Sequence, residues 1–466
     1  MERQNFDLAV IGSGPGGYVA AIKAAQEGLR VCLIEKGLLG GTCLNVGCIP
    51  TKTLLANAQI MHKIAHAAEY GIVAGPVTFD YAKMKSRKDD VVGKIRKSLE
   101  GLIQSNGIVI LHGQAEFLSP KEIKVKGQDN VIVYADKIII ASGSGPLDIP
   151  AFPCDHKRVF NSTSILDLTS LPKTLAVIGG GYIGCEFASL FSDLGVKVII
   201  LEALPSIVML QGKSISESLT RAFSKKGIEI QTGVMVEGID QTHNGLSVRL
   251  KDKPAVACDI ALVSVGRKII SSDLGLEKAG VAVNGKGMVI VNEKMETNVP
   301  GIYAIGDVTG KSMLAHVASH QGIIAASNAI GRIAKMHYNA VPAVIFTNPE
   351  IATVGLTLEQ AQEAGFQAAI GKFPFQALGK SIASIETEGF AQVIIDRKTG
   401  QILGAQVVGH EASTLIAEMA LAIANELTVD CIADTIHAHP TVAEAWLEAA
   451  LIANDTPIHM PPKVKK

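Results

Sequence analysis

Apolar and polar positions along the chain follow a pattern that occurs twice. Residues 8–35 read LAVIGSGPGGYVAAIKAAQEGLRVCLIE, and residues 175–202 read LAVIGGGYIGCEFASLFSDLGVKVIILE. Each stretch opens on an apolar run of strand length, passes through G-x-G-x-x-G, continues in an apolar helical stretch, stops at a Gly, and ends in a second apolar run closed by Glu. An offset of 167 superimposes Gly12 on Gly179, Gly14 on Gly181, Gly17 on Gly184 and Glu35 on Glu202. The order strand–turn–helix–strand predicts parallel strands and the opening of a dinucleotide-binding fold. The first Gly permits the tight turn, the second lets backbone approach a pyrophosphate, and the third lets helix pack on strand. The helix N-terminus offers free N–H groups and positive dipole to the phosphates. The closing Glu, 18 residues after the third Gly, is placed to accept hydrogen bonds from an adenosine ribose. One such motif is weak evidence and is often only a turn. Two with matched context predict two bound dinucleotides.

The remaining pattern is coarser. Residues 36–60 carry a cysteine segment and the start of a long helix, and 80–106 are amphipathic and helical. Residues 108–142 alternate like strands and close on IIIASGSGP, and 228–265 do the same and close on ALVSVGR. The matched glycines there, Gly143 and Gly266, suit backbone passing close to a ligand. TNVPGIYAIGD, at 297–307, is a strand ending in Gly-Asp. From about 341 the pattern changes to strands such as AQVIID and GAQVVG, followed by a helical stretch at 412–426, which predicts a further domain. The fold class is α/β with two Rossmann-like folds.

Composition narrows the function classes. At 466 residues, several domains are expected. The formal net charge of −1 offers no basic surplus for nucleic acid or an anionic membrane. MERQNFDLAV reads as the start of a buried strand, and no apolar run approaches the ~18 residues of a membrane span. Seven cysteines are too few and too odd for a secreted framework, so a reducing, cytoplasmic setting is expected.

In that setting the pair in GGTCLNVGCIPTK, Cys43 and Cys48, points to chemistry. Five helical steps advance about 7.5 Å, and bridged Cα atoms rarely lie beyond about 7 Å. If the two pair, the helix must therefore start irregularly, and Gly47 and Pro50 suit that distortion. A helix N-terminus also favours thiolate. The other reading is two buried free thiols. The flanking Gly-Gly, Lys52 and the upstream nucleotide motif weigh against it. Near the far end, HAHPTVAE places His437, His439 and Glu444 together. A thiol must lose its proton before it attacks a disulfide, and a His steadied by a carboxylate suits that task.

GSGPGG, GGTCLNVGCIPTK, GGGYIGCE, TNVPGIYAIGD, FTNPEIATVG and HAHPTVAEA, in this order, make the chain resemble the pyridine nucleotide–disulfide oxidoreductases over nearly its whole length. It is most similar to their lipoyl-oxidising branch. The resemblance implies FAD on Gly12, Gly14, Gly17 and Glu35, with Asp307 and Ala315 also on the flavin and Lys52 near its ring, paired to Glu186. It implies a nicotinamide cofactor on Gly179, Gly181, Gly184 and Glu202. Cys43 would exchange with substrate and Cys48 would face the flavin. His439, supported by Glu444, would be the base and would reach the disulfide of the other subunit of a homodimer, His437 being a structural neighbour. The implied division is 1–145 and 268–340 for the FAD-binding domain and its second, central part, 146–267 for the NAD-binding domain, and 341–466 for an α+β dimerisation domain. Implied partners are the lipoyl-bearing acyltransferase subunits of 2-oxo acid dehydrogenase complexes.

Glu202 would repel a ribose 2′-phosphate, and ALPSIVML after it holds no Arg or Lys, which favours NAD over NADP. That argues against glutathione and trypanothione reductases, and the absence of a terminal Cys pair argues against mercuric reductase. A non-catalytic flavin-fold scaffold is disfavoured by the retained Cys43, Cys48, Lys52, Glu186, His439 and Glu444. The chain departs from the usual pattern at Val317, Gln321, Lys268 and Phe346. These put the fine positioning of flavin and nicotinamide in question, while leaving every expected catalytic group in place.

Overall fold

A computed structural model describes residues 1–461, so the last residues of the expected 341–466 unit, 462–466, lie outside the described residues. The first apolar run forms β1 (Glu2–Ile11), the glycine motif turns the chain into α1 (Pro15–Gln26), and the chain returns as β2 (Val31–Glu35). The cysteine segment forms α2 (Gly41–Val46) and α3 (Cys48–Ala65). The amphipathic stretch forms α4 (Tyr81–Ser105), started by the Asp80 side chain accepting from Lys83 N–H at 3.1 Å. The alternating segment then gives β3 (Val109–Ser119), β4 (Glu122–Gly127) and β5 (Asn130–Ile140).

Strands β3, β2, β1 and β5 lie side by side and parallel where they pair directly, while β4 bridges β3 and β5 as an antiparallel meander. A short pair, β6 (Ser144–Pro146) with the later Arg267–Ile269, leads out of this sheet. The second copy follows: β7 (Val159–Asn161), β8 (Thr174–Ile178), α5 (Tyr182–Asp193), β9 (Lys197–Glu202), α6 (Lys213–Lys225) and β10 (Glu229–Thr232). A meander of β11 (Val236–Thr242), β12 (Gly245–Leu250) and β13 (Lys253–Cys258) interrupts it before β14 (Ile260–Val263). The sheet order is β10-β9-β8-β14-β7, all parallel.

The two copies agree to the residue. Leu8 pairs with Val31 and Leu175 with Val198, the same register after the offset of 167. The strand order around β1 and β8 is that of mononucleotide-binding folds, with the glycine turns at the carboxyl ends of the central strands. After β15 (Arg267–Ile269), β16 (Ile302–Ala304) returns to the first sheet beside β5, and α7 (Ala315–Ala329) crosses α1. That crossing is close. A Cβ on Gly322 would stand 2.5 Å from Gly16 O, so the small residues are what allow it.

The last body is an antiparallel sheet, β17 (Ala343–Ile345), β18 (Ile351–Gly355), β21 (Ile402–Val408), β20 (Phe390–Asp396) and β19 (Ala368–Pro374) in spatial order. Between β18 and β19 lies α8 (Leu358–Glu363), opened by a capping box of Thr357 and Gln360. After β19 come α9 (Gly379–Ala383), then β20, β21, α10 (Ala412–Ala424), α11 (Val429–Ala433) and α12 (Glu444–Ala453). Helix α10 stops two residues short of its expected end because Glu426 takes up a left-handed conformation, φ +54°. Trp446, the only tryptophan, is fully buried here and donates its indole N–H to Leu415 O at 3.1 Å. Among the described residues no helix is long and apolar enough to cross a membrane.

A Cβ on Gly17 would lie 1.8 Å from Gly12 O, backbone against backbone, whereas one on Gly14 meets nothing within 4 Å. Gly17→Ala is therefore expected to cost about 3 kcal/mol or more. Gly14→Ala should cost less than about 1 kcal/mol. Denaturant unfolding of the two variants beside the parent checks the contrast.

Candidate active site

The two glycine turns are built alike. Gly12 and Gly179 have φ of +99° and +104°, and a Cβ there would run into Ala141 O and Ser264 O respectively. Gly14 and Gly181 cap α1 and α5 without any side-chain hydrogen bond, and both open onto empty space. Bare helix N-terminal N–H groups facing a side-chain-free gap are what a pyrophosphate requires, so both turns fit a dinucleotide. The closing acids are also held alike. Glu35 accepts from Ser13 N–H at 2.8 Å and Gly37 N–H at 2.7 Å. Glu202 accepts from Gly180 N–H at 2.5 Å and Leu204 N–H at 2.6 Å. Each carboxyl group is thereby fixed beside its own turn.

The cysteine segment is packed directly on the first of these turns. Gly40 N–H donates to Ser13 O at 3.2 Å, and a Cβ on Gly41 would stand 2.7 Å from Gly14 Cα. From this start α2 runs six residues and breaks at Gly47, φ −142° and ψ −110°. The break removes the axial advance of a regular helix, and the Cα atoms of Cys43 and Cys48 come to 4.7 Å with their sulfurs bonded. Any side chain at 47 would press on Thr42 O, 2.9 Å from its Cβ. The expected irregular start is thus a short helix, a kink and a new helix, with Cys48 at the N-terminus of α3.

One turn further along α3, Lys52 Nζ donates to Glu186 Oε2 on α5 at 2.7 Å. Glu186 is buried, and its other oxygen accepts from Phe346 N–H at 2.9 Å. The Lys52 ammonium also sits over the Phe346 ring, 4.5 Å from its centre. Phe346, one of the departures, therefore serves the pair through its backbone and its ring face.

Asp307 follows β16 and accepts from Ser144 Oγ, while Arg267 lies 3.5 Å away. Arg267 also donates to Ser144 Oγ and Ser144 O, both at 2.7 Å. Ser144 and Arg267 escaped the sequence reading although they neighbour Gly143 and Gly266. The signal was the pair of matched closings, ASGSGP and SVGRK, whose following residues pair as β6 and β15. Lys268 is exposed beside them. Gln321, another departure, is fully buried. Its Oε1 accepts from Gly306 N–H at 2.6 Å, and its Nε2 donates to Tyr338 Oη at 2.9 Å, which fixes the turn before Asp307. Val317 is core, and Ala315 is half-buried in the first turn of α7.

In the last body, His439 Nδ1 lies 2.8 Å from Glu444 Oε1, and Thr441 N–H donates to Glu444 Oε2 at 2.9 Å. A carboxylate only accepts, so Nδ1 is the donor of this pair, which leaves Nε2 as the lone-pair nitrogen of the neutral tautomer. Burial pushes the Glu444 carboxyl up. The Thr441 N–H and then His439 outweigh it and hold the group below its usual range. The His439 side chain is 77% exposed and its bonds stay within the last body, while the disulfide lies against the first glycine turn. His437 bonds Glu418 Oε1 at 2.9 Å and Thr435 O at 3.0 Å. The Glu418 carboxylate raises its pKa against the opposing effect of burial. A raised histidine pKa stabilises the fold most below the unfolded value of ~6.5, and this contribution fades as pH rises through the folded value. Glu418→Gln should accordingly lower the melting temperature at about pH 6, and the deficit should shrink steadily toward about pH 9. Melting curves of parent and variant across that range check the sign.

A family profile for pyridine nucleotide-disulphide oxidoreductase matches residues 6–322, and that family's dimerisation domain matches 341–450. Dihydrolipoyl dehydrogenase of Chlamydia pneumoniae is 50% identical over 460 residues, covering 99% of both chains. The Bacillus subtilis enzyme of the same name is 41% identical, covering 97% of each. Among solved structures, LpdA of Mycobacterium tuberculosis superimposes with a TM-score of 0.90 at 27% identity, over 97% of this chain and 99% of that one. The HOCl-induced flavoprotein disulfide reductase RclA of Escherichia coli does so at 0.86 and 30%, over 95% and 99%. With two nucleotide turns of one design, a disulfide seated on the first, and relatives alike from end to end, the chain belongs to the pyridine nucleotide-disulphide oxidoreductase family.

Proposed function

We propose that this protein is a dihydrolipoyl dehydrogenase, which oxidises protein-bound dihydrolipoyl groups to lipoyl and reduces NAD+ to NADH. The observation that carries this reading is the Cys43–Cys48 disulfide packed against the Gly14 turn, one helical turn from Lys52. The full-length similarity to enzymes named for this activity supports it.

A dihydrolipoyl thiol gives its proton to Nε2 of His439, and Glu444 steadies the imidazolium. The resulting thiolate attacks Cys43 Sγ, the Cys43–Cys48 bond breaks, and Cys48 leaves as thiolate. The second lipoyl thiol, deprotonated in turn, attacks the lipoyl sulfur of the mixed disulfide. That forms the lipoyl ring and releases Cys43, so two electrons now reside on the cysteine pair. When bound, FAD supplies the two-electron relay from the Cys48 thiolate to the nicotinamide of NAD+. Gly12, Gly14, Gly17, Glu35, Gly143, Asp307 and Ala315 would hold FAD, with Ser144 and Arg267 positioning Asp307. Gly179, Gly181, Gly184, Glu202 and Gly266 would hold NAD. The Lys52–Glu186 pair, too buried to add much stability, would place a positive charge beside the flavin ring.

The working unit is a homodimer in which His439 of one subunit serves the disulfide of the other. Residues 341–466 would form the interface, with 1–145 and 268–340 as the FAD-binding domain and 146–267 as the NAD-binding domain. The return of β16 to the first sheet supports that division. The partners are acyltransferase subunits bearing lipoyl groups, and the setting is the cytoplasm.

Purified protein assayed anaerobically with dihydrolipoamide and NAD+, with NADPH and oxidised glutathione, and with NADPH and mercuric ion is expected to turn over only the first pair. Cys48→Ser should abolish dihydrolipoamide:NAD+ turnover, and full activity in that variant would sink the scheme. His439→Gln should lower kcat by about 10²- to 10⁴-fold.

A further inference from the structure

Beyond Glu202 the chain reaches α6 through a ten-residue segment, 203–212, that stays against the second glycine turn. Ile207 and Val208 are buried, and Val208 N–H donates to Gly180 O at 2.8 Å. Gly180 is the residue whose own N–H binds Glu202, so the acid and the segment hold the two peptide groups on either side of Gly180. Val208 has φ +43° and ψ +36°, a left-handed conformation rare for a β-branched residue. Such a conformation persists only where the surroundings impose it.

Val208 O accepts from Gln211 N–H at 2.9 Å, and Gln211 in turn is held by the last sheet. Lys372, Gln392, Gln406 and Thr353 stand in one row across β19, β20, β21 and β18 by strand register. The row points its polar groups at the end of the segment. Thr353 Oγ1 donates to Gln211 Oε1 at 2.8 Å, Gln406 Nε2 donates to Gln211 O at 2.9 Å, and Lys372 Nζ donates to Ser214 Oγ at 3.1 Å. Gln392 Nε2 completes the row by donating to Gln406 Oε1 at 2.8 Å. Gln392 and Gln406 are each only 3% exposed, in a sheet whose strands are otherwise mostly apolar. Gly212, φ +91°, lies so close to the row that a Cβ would stand 3.2 Å from Gln406 Nε2. Buried amides cost stability unless they are bonded, and here the bonds run to the segment that backs the Glu202 turn.

We propose that Thr353 and Gln406, acting through Gln211, are positioning residues for nicotinamide-cofactor binding, so that the last sheet sets the affinity of a site it does not touch. The proposal rests on the reading that the second nucleotide fold holds NAD. Loss of the Thr353 bond frees Gln211, relaxes Val208 and loosens the backing of Gly180 and Glu202.

The test is steady-state kinetics of the holoenzyme with dihydrolipoamide and NAD+, together with direct titration by NADH. Thr353→Val should raise the KM for NAD+ and the Kd for NADH by about 3- to 10-fold. The KM for dihydrolipoamide and kcat should stay unchanged, and Thr353→Ser should restore NAD+ affinity. Combining Thr353→Val with Gln211→Met should add nothing to the Gln211→Met effect. A Thr353→Val protein that melts earlier but binds NAD+ as the parent does would overturn the proposal and leave the row purely structural. Glu202→Ala serves as the control. If that change leaves NAD+ affinity intact, the nucleotide reading itself fails, and the positioning proposal falls with it.

Discussion

The interaction on which the arrangement turns is the Lys52–Glu186 ion pair. Lys52 comes from the helix that begins at Cys48, Glu186 from the first helix of the second nucleotide fold, and the N–H that completes Glu186 from Phe346 at the entry to the last sheet. Three bodies therefore meet on one carboxylate. A buried carboxylate tolerates no missing partner, because an unpaired charge in that place costs far more than the pair contributes. The relative placement of the bodies is thus enforced by the cost of the alternatives more than by the strength of attraction. The Lys52 ammonium is covered on one side by the Phe346 ring and aimed at the carboxylate.

The two glycine turns solve one physical problem twice. Each needs bare N–H groups at a helix end and a carboxyl side chain that does not swing into the gap. Both acids are tied down by two backbone N–H groups, at positions related by the same offset as the glycines. What differs is what packs behind each turn. The first is backed by Gly40 and Gly41 and so presents a disulfide. The second is backed by Ile207 and Val208 and so connects to the last sheet. Equal cradles acquire different tasks from their neighbours.

What the sequence made legible was local. The glycine motifs, the closing acids, the cysteine spacing and the His–Glu pair all lie within a few turns of themselves, and spacing alone constrains their geometry. The kink between Cys43 and Cys48 followed from the rise of a helix. The Lys52–Glu186 contact spans 134 residues and came only through resemblance. Ser144 and Arg267, 123 apart, became neighbours only once β6 and β15 paired. Gln321 read as a departure from pattern, and its burial against Gly306 explains how a neutral side chain holds that turn. The row from Lys372 to Thr353 was invisible for a sharper reason. Shifting any one strand by a residue would scatter it, and register is not written in alternation alone.

Trp446 gives the molecule an optical asymmetry. It is the sole tryptophan, it lies wholly inside the last body, and its indole N–H is bonded to Leu415 O. Indole fluorescence therefore watches one core, while a flavin bound at the first glycine turn would watch another. If the three bodies unfold as a single cooperative unit, the two signals must change along one curve. If the last body opens by itself, the indole signal departs first. The indole and a bound flavin would together decide how far the architecture behaves as one piece.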